Sequence, residues 1–476
     1  MPLPNALKFY IDGRWAEPEI PRSIDVINPA TEKPIARVNL GGPSDVDRAV
    51  KAARGAFPAY SRTSRKERIE LLEAILAVYK RRWNDIATCI SAEVGAPDTL
   101  AKGAQTGAGH HHLSVTLAAL KSFDFEHKLG NSRIIREPIG VCGLITPWNW
   151  PMNQIAAKVA PALACGCTMV LKPSEVSPLN AAVFTEILDE AGVPAGVFNL
   201  LHGDGPGVGA ALAGHPDVDF ISFTGSTQGG ISVAKAAADT VKRVTQELGG
   251  KSPNIVLEDA DLEETVTRDV LKMMNNSGQS CNAPSRMLVP AAKLDRVRKI
   301  AARVAGSVVV GDPLSPDTMM GPVISERQWT RVQRYIEKGV EDGCEVIAGG
   351  AGKPVGLGKG YYVKPTVFSG AHRDMVVARE EIFGPVLTIL VYRDIDEAID
   401  IANDSAYGLS AYVSSRNPKR AAAVARQLRA GNVHINGQWG TKPTPFGGYK
   451  QSGNGREGGV FGFEDFLETK AILGYS

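Results

Sequence analysis

The spacing of apolar and polar residues changes along the chain. From Ser44 to about Val94, apolar residues recur every three or four positions with charges between them, which predicts helices, the first capped by Ser44. From residue 139, short apolar strands such as TMVLK (168–172) alternate with amphipathic helices such as PLNAAVFTEILDEA (178–191). This β-α-β-α order predicts a parallel sheet with helices on both faces, a doubly wound nucleotide-binding architecture.

A second alternation runs from about residue 254 to 436, with helices expected around 261–276, 325–342, 395–403 and 418–430. The glycine- and proline-rich stretch LGGKSPN (248–254) separates the two alternations and predicts a boundary. Residues 124–138 and the tail after about 460 fit neither pattern, and such segments often pair with another subunit. The 476 residues also exceed the roughly 250 to 300 at which single cores stop growing, which favours two or three domains.

Composition narrows the classes of partner. Lys and Arg number 53 against 51 Asp and Glu, without a basic or acidic block, so we expect neither nucleic acid nor a membrane surface as partner. The longest apolar run, VAPALACGCTMVL (159–171), is too short to span a bilayer, and the first fifteen residues lack the pattern of a secretion signal. The six cysteines show neither disulfide nor zinc spacing, which predicts a reduced, cytoplasmic protein.

One cysteine stands in an unusual context. Cys281 lies in NNSGQSCNAPSR (275–286), whereas a cysteine used for packing normally lies in an apolar run. The polar, glycine-bearing loop predicts an exposed and usable sulfur.

Two strand ends point to a nucleotide ligand. Lys172 and Glu175 follow a buried strand, where they could hold the hydroxyls of an adenosine ribose, and a carboxylate there would repel a 2'-phosphate. A solvated surface pair is the alternative. Phe223, Gly225 and Ser226 end another strand and begin a helix whose free N–H groups could face a pyrophosphate, although a plain capped helix would look the same.

Glycine patterns elsewhere carry less information. The G-x-G-x-x-G at residues 453–458 follows no predicted strand and is rejected as a cofactor fingerprint. The glycine-rich stretch around Gly205 lacks the fingerprint spacing and favours a turn into a helix, with Gly205 kept as a candidate cofactor contact.

Two further polar residues are candidates for chemistry. Asn149 stands between two tryptophans in ITPWNWP (145–151), where a rigidly held amide could donate to an oxygen that becomes negative. Glu247 ends a strand beside a glycine turn, where it could act as a base. Simple packing and a surface carboxylate are the ordinary interpretations of these two positions.

Seven motifs occur in one order along the chain: PWNWP (147–151), LKPSE (171–175), FTGS (223–226), ELGGKSPNIV (247–256), GQSC (278–281), EEIFGPV (380–386) and PFGGYKQSGNGRE (445–457). Together they resemble the aldehyde dehydrogenase superfamily over nearly the whole chain. The resemblance implies an α/β fold with a Rossmann-like NAD-binding domain (1–119 and 139–249) and a catalytic domain (250–449). It also implies a β arm (120–138 and 450–476) that assembles a homodimer or homotetramer.

The resemblance also assigns roles to residues. Cys281 would be the nucleophile, Glu247 the general base, and Asn149 the oxyanion donor together with the Cys281 N–H, while Lys158 and Glu457 match proton-relay positions. The cofactor is expected to be NAD, with NADP as a secondary possibility. The implied cofactor contacts are Thr146, Pro147, Trp148, Lys172, Glu175, Gly205, Phe223, Gly225, Ser226, Leu248, Gly249, Glu381 and Phe383. Trp150 and Phe446 are the implied substrate contacts.

The implied reaction is oxidation of an aldehyde to an acid. A Cys281 thiolate, strongly nucleophilic near neutral pH, would add to the aldehyde and form a thiohemiacetal that loses hydride and becomes a thioester. Glu247 favours hydrolysis of that thioester over transfer to coenzyme A, but an acyl-transferring or esterase-like use of the cysteine stays open. The small Ala157 suggests a wide tunnel for aromatic or medium-chain aldehydes. No metal is expected, since the consecutive His110, His111 and His112 cannot converge on one ion.

Overall fold

The computed structural model describes residues 5–475, so residues 1–4 and 476 of the predicted domain ranges lie outside the described residues. The strands are β1 (Phe9–Ile11), β2 (Arg14–Ala16), β3 (Ser23–Asn28), β4 (Lys33–Asn39), β5 (Glu126–Leu129), β6 (Ser132–Pro138), β7 (Val141–Ile145), β8 (Thr168–Lys172), β9 (Phe198–Leu200), β10 (Phe220–Thr224), β11 (Arg243–Glu247), β12 (Pro253–Val256), β13 (Arg286–Pro290), β14 (Glu345–Ala348), β15 (Thr366–Ser369), β16 (Val386–Tyr392), β17 (Ser410–Ser414), β18 (Asn432–Ile435), β19 (Gly453–Asn454) and β20 (Leu467–Leu473).

The helices are α1 (Pro43–Tyr60), α2 (Arg65–Arg81), α3 (Trp83–Val94), α4 (Asp98–Leu100), α5 (Thr106–Ser122), α6 (Pro151–Cys165), α7 (Leu179–Glu190), α8 (Ala210–Gly214), α9 (Thr227–Ala237), α10 (Leu262–Met274), α11 (Leu294–Ser307), α12 (Glu326–Glu341), α13 (Val376–Arg379), α14 (Ile395–Asn403) and α15 (Pro418–Ala425). Among residues 5–475, no helix is both long enough and apolar enough to cross a bilayer.

The first sheet has the Rossmann-like order that the sequence predicts. Its strands run β19-β11-β10-β7-β8-β9-β1-β2, and the five from β11 to β9 are parallel. Every residue of β7, β8 and β10 is buried, as expected for strands covered on both faces. Helices α2, α3, α5, α6 and α7 contribute to the apolar core on one face, while α1, α8 and α9 contribute to that on the other. The short strand β19 returns from the C-terminal region to pair with β11.

The second sheet is also mainly parallel, with the order β14-β15-β16-β13-β12-β17-β18 and only β14 antiparallel. Helices α10 and α11 share one core with it, and α14 and α15 share another. Helix α11 is absent from the predicted elements. Its buried Val297, Ile300 and Val304 recur at helical spacing with charged residues between them, so the pattern that predicts the other helices is present here too.

Two smaller sheets complete the fold: the hairpin β3-β4 and a three-stranded antiparallel sheet with the order β20-β6-β5. The second brings together the two segments that fitted neither alternation, with Leu467 opposite Pro138 and Leu473 opposite Ser132. All four residues of β5 are exposed. The assignment of this sheet as an oligomerisation arm stays a prediction.

The start of α1 differs from the prediction that Ser44 caps it. The helix begins at Pro43, and Gly42 is the N-cap. Proline is favoured at a first helical position because its fixed φ suits the helix and its missing N–H would have no helical partner there. The Gly42 N–H instead donates to Asp45 Oδ2 at 3.1 Å.

Candidate active site

The carboxyl ends of four neighbouring parallel strands meet at one edge of the first sheet. Ile145 at the end of β7 lies opposite Lys172 of β8, and Thr224 of β10 lies opposite Glu247 of β11. The strand order reverses between β7 and β10, and ligands of open α/β sheets bind in the crevice beside such a reversal. Predicted cofactor residues from several stretches of the chain therefore share this edge.

The loop that carries Cys281 begins with an uncommon backbone conformation. Asn276 and Ser277 have φ values of 51° and 56°, in the left-handed region. Such residues cost about 1–3 kcal/mol each and persist only where surrounding contacts enforce them. Ser277 Oγ donates to the carbonyl of Gly321 at 2.8 Å, which holds the turn from outside the loop.

Buried side-chain amides join this loop to the segment that carries Asn149. Asn149 Nδ2 donates to the Gln279 carbonyl at 3.0 Å. Asn276 Nδ2 donates to the same carbonyl at 3.2 Å and to the Asn149 carbonyl at 2.9 Å. A carbonyl can only accept, so the Asn149 amide is oriented with nitrogen toward the loop, and its second N–H can serve a reacting oxygen.

Cys281 is partly exposed, whereas the other five cysteines are buried. Desolvation raises the pKa of its thiol, and the charges of Glu381 and Glu247 raise it further. The N–H groups of Asn282 and Cys281 itself oppose this in part. These surroundings favour the neutral thiol over the thiolate. Ionisation of the thiol requires a proton acceptor.

The turn after β11 packs tightly against the Cys281 loop and against Glu381. A Cβ atom on Gly250 would lie 2.4 Å from the Cys281 carbonyl oxygen, and one on Gly249 would lie 2.3 Å from Glu381 Oε2. The Gly250 N–H donates to Glu381 Oε1 at 2.9 Å. Larger residues do not fit at these two positions. Immediately before them, Leu248 packs its side chain on α9.

Glu247 ends β11 and is only 5% exposed. Within residues 5–475, neither of its carboxyl oxygens has a hydrogen-bond partner. Burial raises its pKa well above the usual value, the charge of Glu457 raises it further, and Lys158 opposes both. A carboxylate with a raised pKa accepts protons more readily, so this environment suits a general base.

The predicted relay residues Lys158 and Glu457 form a largely buried ion pair. Lys158 Nζ lies 2.6 Å from Glu457 Oε1 and donates to Ser222 Oγ at 3.0 Å. Reciprocal backbone hydrogen bonds to Phe446 hold Glu457 in place. The pair lies near enough to shift the pKa of Glu247, but in the described part of the chain no hydrogen bond links it to that carboxyl.

Lys172 is buried, which contradicts the alternative of a solvated surface pair. Its Nζ donates to the carbonyls of Pro173 at 2.8 Å and Gly203 at 2.6 Å, and it lies 3.5 Å from Glu175 Oε2. The Glu175 side chain keeps 35% exposure. A fixed ammonium beside a reachable carboxylate can donate to and accept from a pair of hydroxyls.

The start of α9 supports the predicted phosphate role only in part. Ser226 Oγ accepts from the Gly229 N–H at 3.1 Å, so the hydroxyl caps the helix. The Gly225 N–H donates to the Glu247 carbonyl at 3.0 Å and is therefore already used. Phe223 is buried beneath this turn, 2.6 Å from the position of a Cβ on Gly225. Only the remaining N–H groups of the first turn are candidates for a phosphate.

Gly205 begins a π-helical turn, residues 205–209, that leads into α8. Asp204 caps this turn by accepting from the Gly207 N–H at 2.6 Å. Gly205 is exposed, and a Cβ there would meet no atom within 4 Å. These contacts match the predicted turn and add nothing specific for a cofactor.

Two buried hydroxyls at the sheet edge, Thr146 Oγ1 and Thr224 Oγ1, have no hydrogen-bond partner among the described residues. Thr146 follows β7 and precedes the partly exposed Pro147. Burying an unpaired hydroxyl costs free energy, so unpaired hydroxyls at such an edge suit a polar ligand.

Phe383 packs against Trp148 and lies two residues after Glu381 in the chain. The Trp148 and Phe383 rings meet edge to face, with centroids 5.3 Å apart. Phe383 has a φ of 61°, and its carbonyl accepts from Gln328 Nε2 at 2.7 Å. Burial raises the pKa of Glu381 to about 7. Strained residues of this kind cluster at ligand sites.

Of the predicted substrate residues, Trp150 is bonded directly to the Cys281 loop. Its Nε1 donates to Ser280 Oγ at 2.7 Å, next to Cys281. Phe446 is half-buried and pairs through its backbone with Glu457.

Three site residues were missed from the sequence: Gln105, Asn276 and Gln279. The last two stand in the quoted loop, but their amides give no signal without knowledge of the partner segment. Gln105 lies in a π-helical turn that apolar spacing does not reveal.

The three consecutive histidines have separate surroundings. His110 packs on Trp83, with ring centroids 6.0 Å apart, His111 is exposed, and His112 Nε2 lies 2.9 Å from Asn153 Oδ1. In the part of the chain that the structure describes, no group of three His, Cys, Asp or Glu side chains could hold a metal ion.

Comparisons with known proteins agree over nearly the full length. The model of the aldehyde dehydrogenase family matches residues 15–472. A 3-succinoylsemialdehyde-pyridine dehydrogenase from a Pseudomonas species is 57% identical, over 98% of this chain and 98% of that protein.

Solved structures give the same result. A mutant of aldehyde dehydrogenase C from Pseudomonas syringae, in complex with NAD+ and octanal, is 51% identical with a TM-score of 0.99, covering 100% of this chain and 98% of that one. A betaine aldehyde dehydrogenase from Staphylococcus aureus, in complex with NAD+, is 35% identical with a TM-score of 0.95, covering 99% of this chain and 95% of that one.

Proposed function

Because this chain belongs to the aldehyde dehydrogenase family, we propose that it oxidises an aldehyde to the carboxylic acid and reduces NAD. One observation carries the proposal. The loop of Cys281 meets both the amide of Asn149 and the turn that follows the buried Glu247. A nucleophile, an oxyanion donor and a base thus come from three separate segments.

The first step joins sulfur to the aldehyde carbon. Since the surroundings of Cys281 favour the thiol, Glu247 accepts its proton as the S–C bond forms. The electron pair of the carbonyl moves to oxygen, which accepts hydrogen bonds from Asn149 Nδ2 and the Cys281 N–H. Donors already fixed in place stabilise this charge without reorganisation, and removal of one comparable donor costs about 2.7–4 kcal/mol.

The sheet edge fits NAD on three observations: the Lys172 and Glu175 pair, the unpaired hydroxyls of Thr146 and Thr224, and the strained Phe383. Bound NAD supplies the acceptor for the hydride that leaves the carbon. Glu175 would repel a 2'-phosphate, so NADP is proposed only as a secondary cofactor. The relatives solved with NAD+ support this choice.

Loss of hydride leaves a thioester on Cys281, which Glu247 then helps to hydrolyse. Having passed the thiol proton on through Lys158 and Glu457, Glu247 removes a proton from water as the oxygen attacks the thioester. The C–S bond breaks, the acid leaves, and the sulfur takes the proton from Glu247, which restores the thiol. This buried base favours hydrolysis over acyl transfer to coenzyme A.

For the substrate, we propose aromatic or medium-chain aldehydes. The small Ala157 and the aromatic Trp150 and Phe446 favour a wide, apolar tunnel, and relatives named for a pyridine semialdehyde and solved with octanal support it. Hexanal and benzaldehyde should therefore show higher kcat/KM than acetaldehyde. A clear preference for acetaldehyde would contradict this substrate class.

We propose that the β20-β6-β5 sheet pairs with a second copy in a homodimer or homotetramer. Its outer strands β5 and β20 are largely exposed. An unpaired strand edge readily pairs with another chain. Light scattering after gel filtration should give a multiple of 50.7 kDa, and a monomer at micromolar concentration would contradict the proposal.

The direct test follows NADH absorbance with an aldehyde panel. Cys281→Ala should abolish NADH formation because no other group can form the thioester. Cys344→Ala, a buried cysteine packed on Met375, is the matched control and should keep most of the activity. Aldehyde oxidation by Cys281→Ala would overturn the proposed function.

A further inference from the structure

We propose that Gln105 is a positioning residue, which sets the Asn149 amide against the Cys281 loop. The inference rests on the proposed function, because it concerns the oxyanion donor of that reaction. Gln105 is fully buried at the end of a π-helical turn, residues 101–105, and belongs to none of the motifs in the sequence.

The contacts of Gln105 reach both sides of the site. Its Nε2 donates to the Asn149 carbonyl at 3.1 Å and to Asn276 Oδ1 at 3.2 Å. Asn276 Nδ2 in turn donates to the carbonyls of Asn149 and Gln279. Gln105, Asn276 and Gln279 therefore surround Asn149, and we call these four residues the amide cluster.

The orientation of each amide in the cluster follows from its partners. The backbone carbonyl of Asn149 can only accept a hydrogen bond, so Gln105 must present its side-chain nitrogen to it. Asn276 presents nitrogen to two carbonyls, so its oxygen must be the group that accepts from Gln105. Reversal of any one amide would place two acceptors face to face. The cluster thus holds a single arrangement, and the direction of the Asn149 amide is part of it.

The π-helical turn that aims Gln105 is itself held by buried hydroxyls. Thr106 Oγ1 donates to the Ala101 carbonyl at 2.8 Å, and Tyr79 Oη donates to the Thr106 carbonyl at 2.8 Å. A π-helical turn adds a residue to one turn of helix and redirects the side chains, and such turns are frequent at functional sites.

One feature separates positioning from simple stabilisation. Gln105 Oε1 is buried and, among the described residues, has no hydrogen-bond partner. A buried acceptor of this kind costs stability, so an apolar side chain of similar length should be tolerated by the fold. Such a side chain would release the Asn149 backbone and Asn276 Oδ1, and a shift of about 1 Å at a reacting group can cost on the order of 10²-fold in rate.

The first experiment measures NADH formation in single turnover for Gln105→Met. We expect the rate constant to fall roughly tenfold or more, with the KM for NAD and the alkylation rate of Cys281 by iodoacetamide unchanged. Gln333→Met is the matched control. Gln333, on α12, is also a buried glutamine, and its Oε1 accepts from the Gly352 N–H at 2.6 Å. An equal loss in both variants, or none in Gln105→Met, would overturn the inference.

The second experiment is a double-mutant cycle with Asn149→Ala. If Gln105 acts through the Asn149 amide, Gln105→Met should slow the Asn149→Ala enzyme by less than about twofold. Full additivity of the two losses would overturn the inference. If the wild-type enzyme is active and the Cys281→Ala enzyme is inactive, the proposed function is still supported. Failure of the inference about Gln105 can therefore be told apart from failure of the proposed function.

Should Gln105→Met fail to fold, Gln105→Glu gives an independent result. The glutamic acid has nearly the same shape and donates only while protonated. Its single-turnover rate relative to wild type should therefore fall as pH rises from 5 to 9. A ratio that does not change with pH would overturn the inference.

Discussion

The amide cluster and Glu247 are both buried polar groups of the candidate site, but they differ in their hydrogen bonds. Asn149 donates to a backbone carbonyl, and Gln105 and Asn276 donate to further oxygens. Glu247, equally buried, has no hydrogen-bond partner for either carboxyl oxygen within residues 5–475.

The difference follows from what each group must do. Neutral amides can be buried at modest cost when their hydrogen bonds are made, and they then fix geometry. A buried carboxyl without partners is destabilising when charged, so its pKa rises and it accepts protons more readily. The amide cluster therefore suits a role in positioning, and Glu247 suits proton transfer.

The largest expected effect comes from Glu247→Gln. This change replaces the carboxyl of the proposed base by an amide, so that residue 247 becomes similar to the members of the amide cluster. Steady-state turnover should fall about 10²–10⁴-fold, the usual contribution of a general base. A slowed burst of one equivalent of NADH should remain, because hydride leaves before hydrolysis. Stopped-flow absorbance measures both phases, and unchanged steady-state turnover would remove Glu247 from the mechanism.

Asn149→Ala tests the amide cluster and should lower kcat about 10²–10³-fold through loss of an oxyanion donor. Binding of NAD, measured by fluorescence titration, should not change. Asn153→Ala is the control, since this partly exposed amide bonds to His112 outside the cluster. Comparable losses in both variants would show that the effect is not specific to Asn149.

The pH dependence of stability sharpens the contrast. The folded protein raises the pKa of Glu247, and that of Glu381 to about 7, so the native state holds these protons more tightly than the unfolded chain. Stability from these groups is complete at low pH and is lost as pH rises through their folded pKa values. Urea midpoints should therefore fall less steeply with pH in Glu247→Gln than in wild type, and equal slopes would contradict the burial of a charged base.

A smaller effect is expected at the exposed carboxylate of Glu175. Glu175→Gln removes a charge that would repel a 2'-phosphate. Two like charges about 4 Å apart in water repel by about 1 kcal/mol, which corresponds to roughly a fivefold change in a rate or binding constant. The ratio of kcat/KM for NADP over NAD should rise by that order. A ratio that stays constant would place cofactor choice elsewhere.

The smallest effect is expected from Ser280→Ala, which removes the hydroxyl that accepts from Trp150. One hydrogen bond contributes about 1 kcal/mol, so kcat/KM for benzaldehyde should fall by roughly fivefold or less. Steady-state kinetics with benzaldehyde and acetaldehyde would check this. A loss as large as that of Asn149→Ala would contradict the minor role assigned to the Ser280 hydroxyl.

The parallel sheets were predictable because their strands are short apolar runs between clear helices, as in TMVLK at β8. The edge strands were not, since β1, β2 and β19 have two or three residues each and join the first sheet through distant pairing. Helix α11 was missed although its apolar residues recur at helical spacing with charges between them.

At the site, the sequence singled out Cys281, Asn149 and Glu247 as candidates because each stands beside a turn or strand end. The amide cluster could not be predicted, because Gln105 meets Asn149 and Asn276 only after three segments have packed. The raised pKa of Cys281 follows first from burial and then from the charges of Glu381 and Glu247, and both depend on segments distant in sequence.

The most direct test of the central claim is mass spectrometry of the Glu247→Gln enzyme quenched during turnover of benzaldehyde with NAD. We expect a benzoyl group on the peptide that carries Cys281, and we expect it to form at the same rate as the burst of NADH. Unmodified Cys281 beside continued formation of benzoate would contradict it.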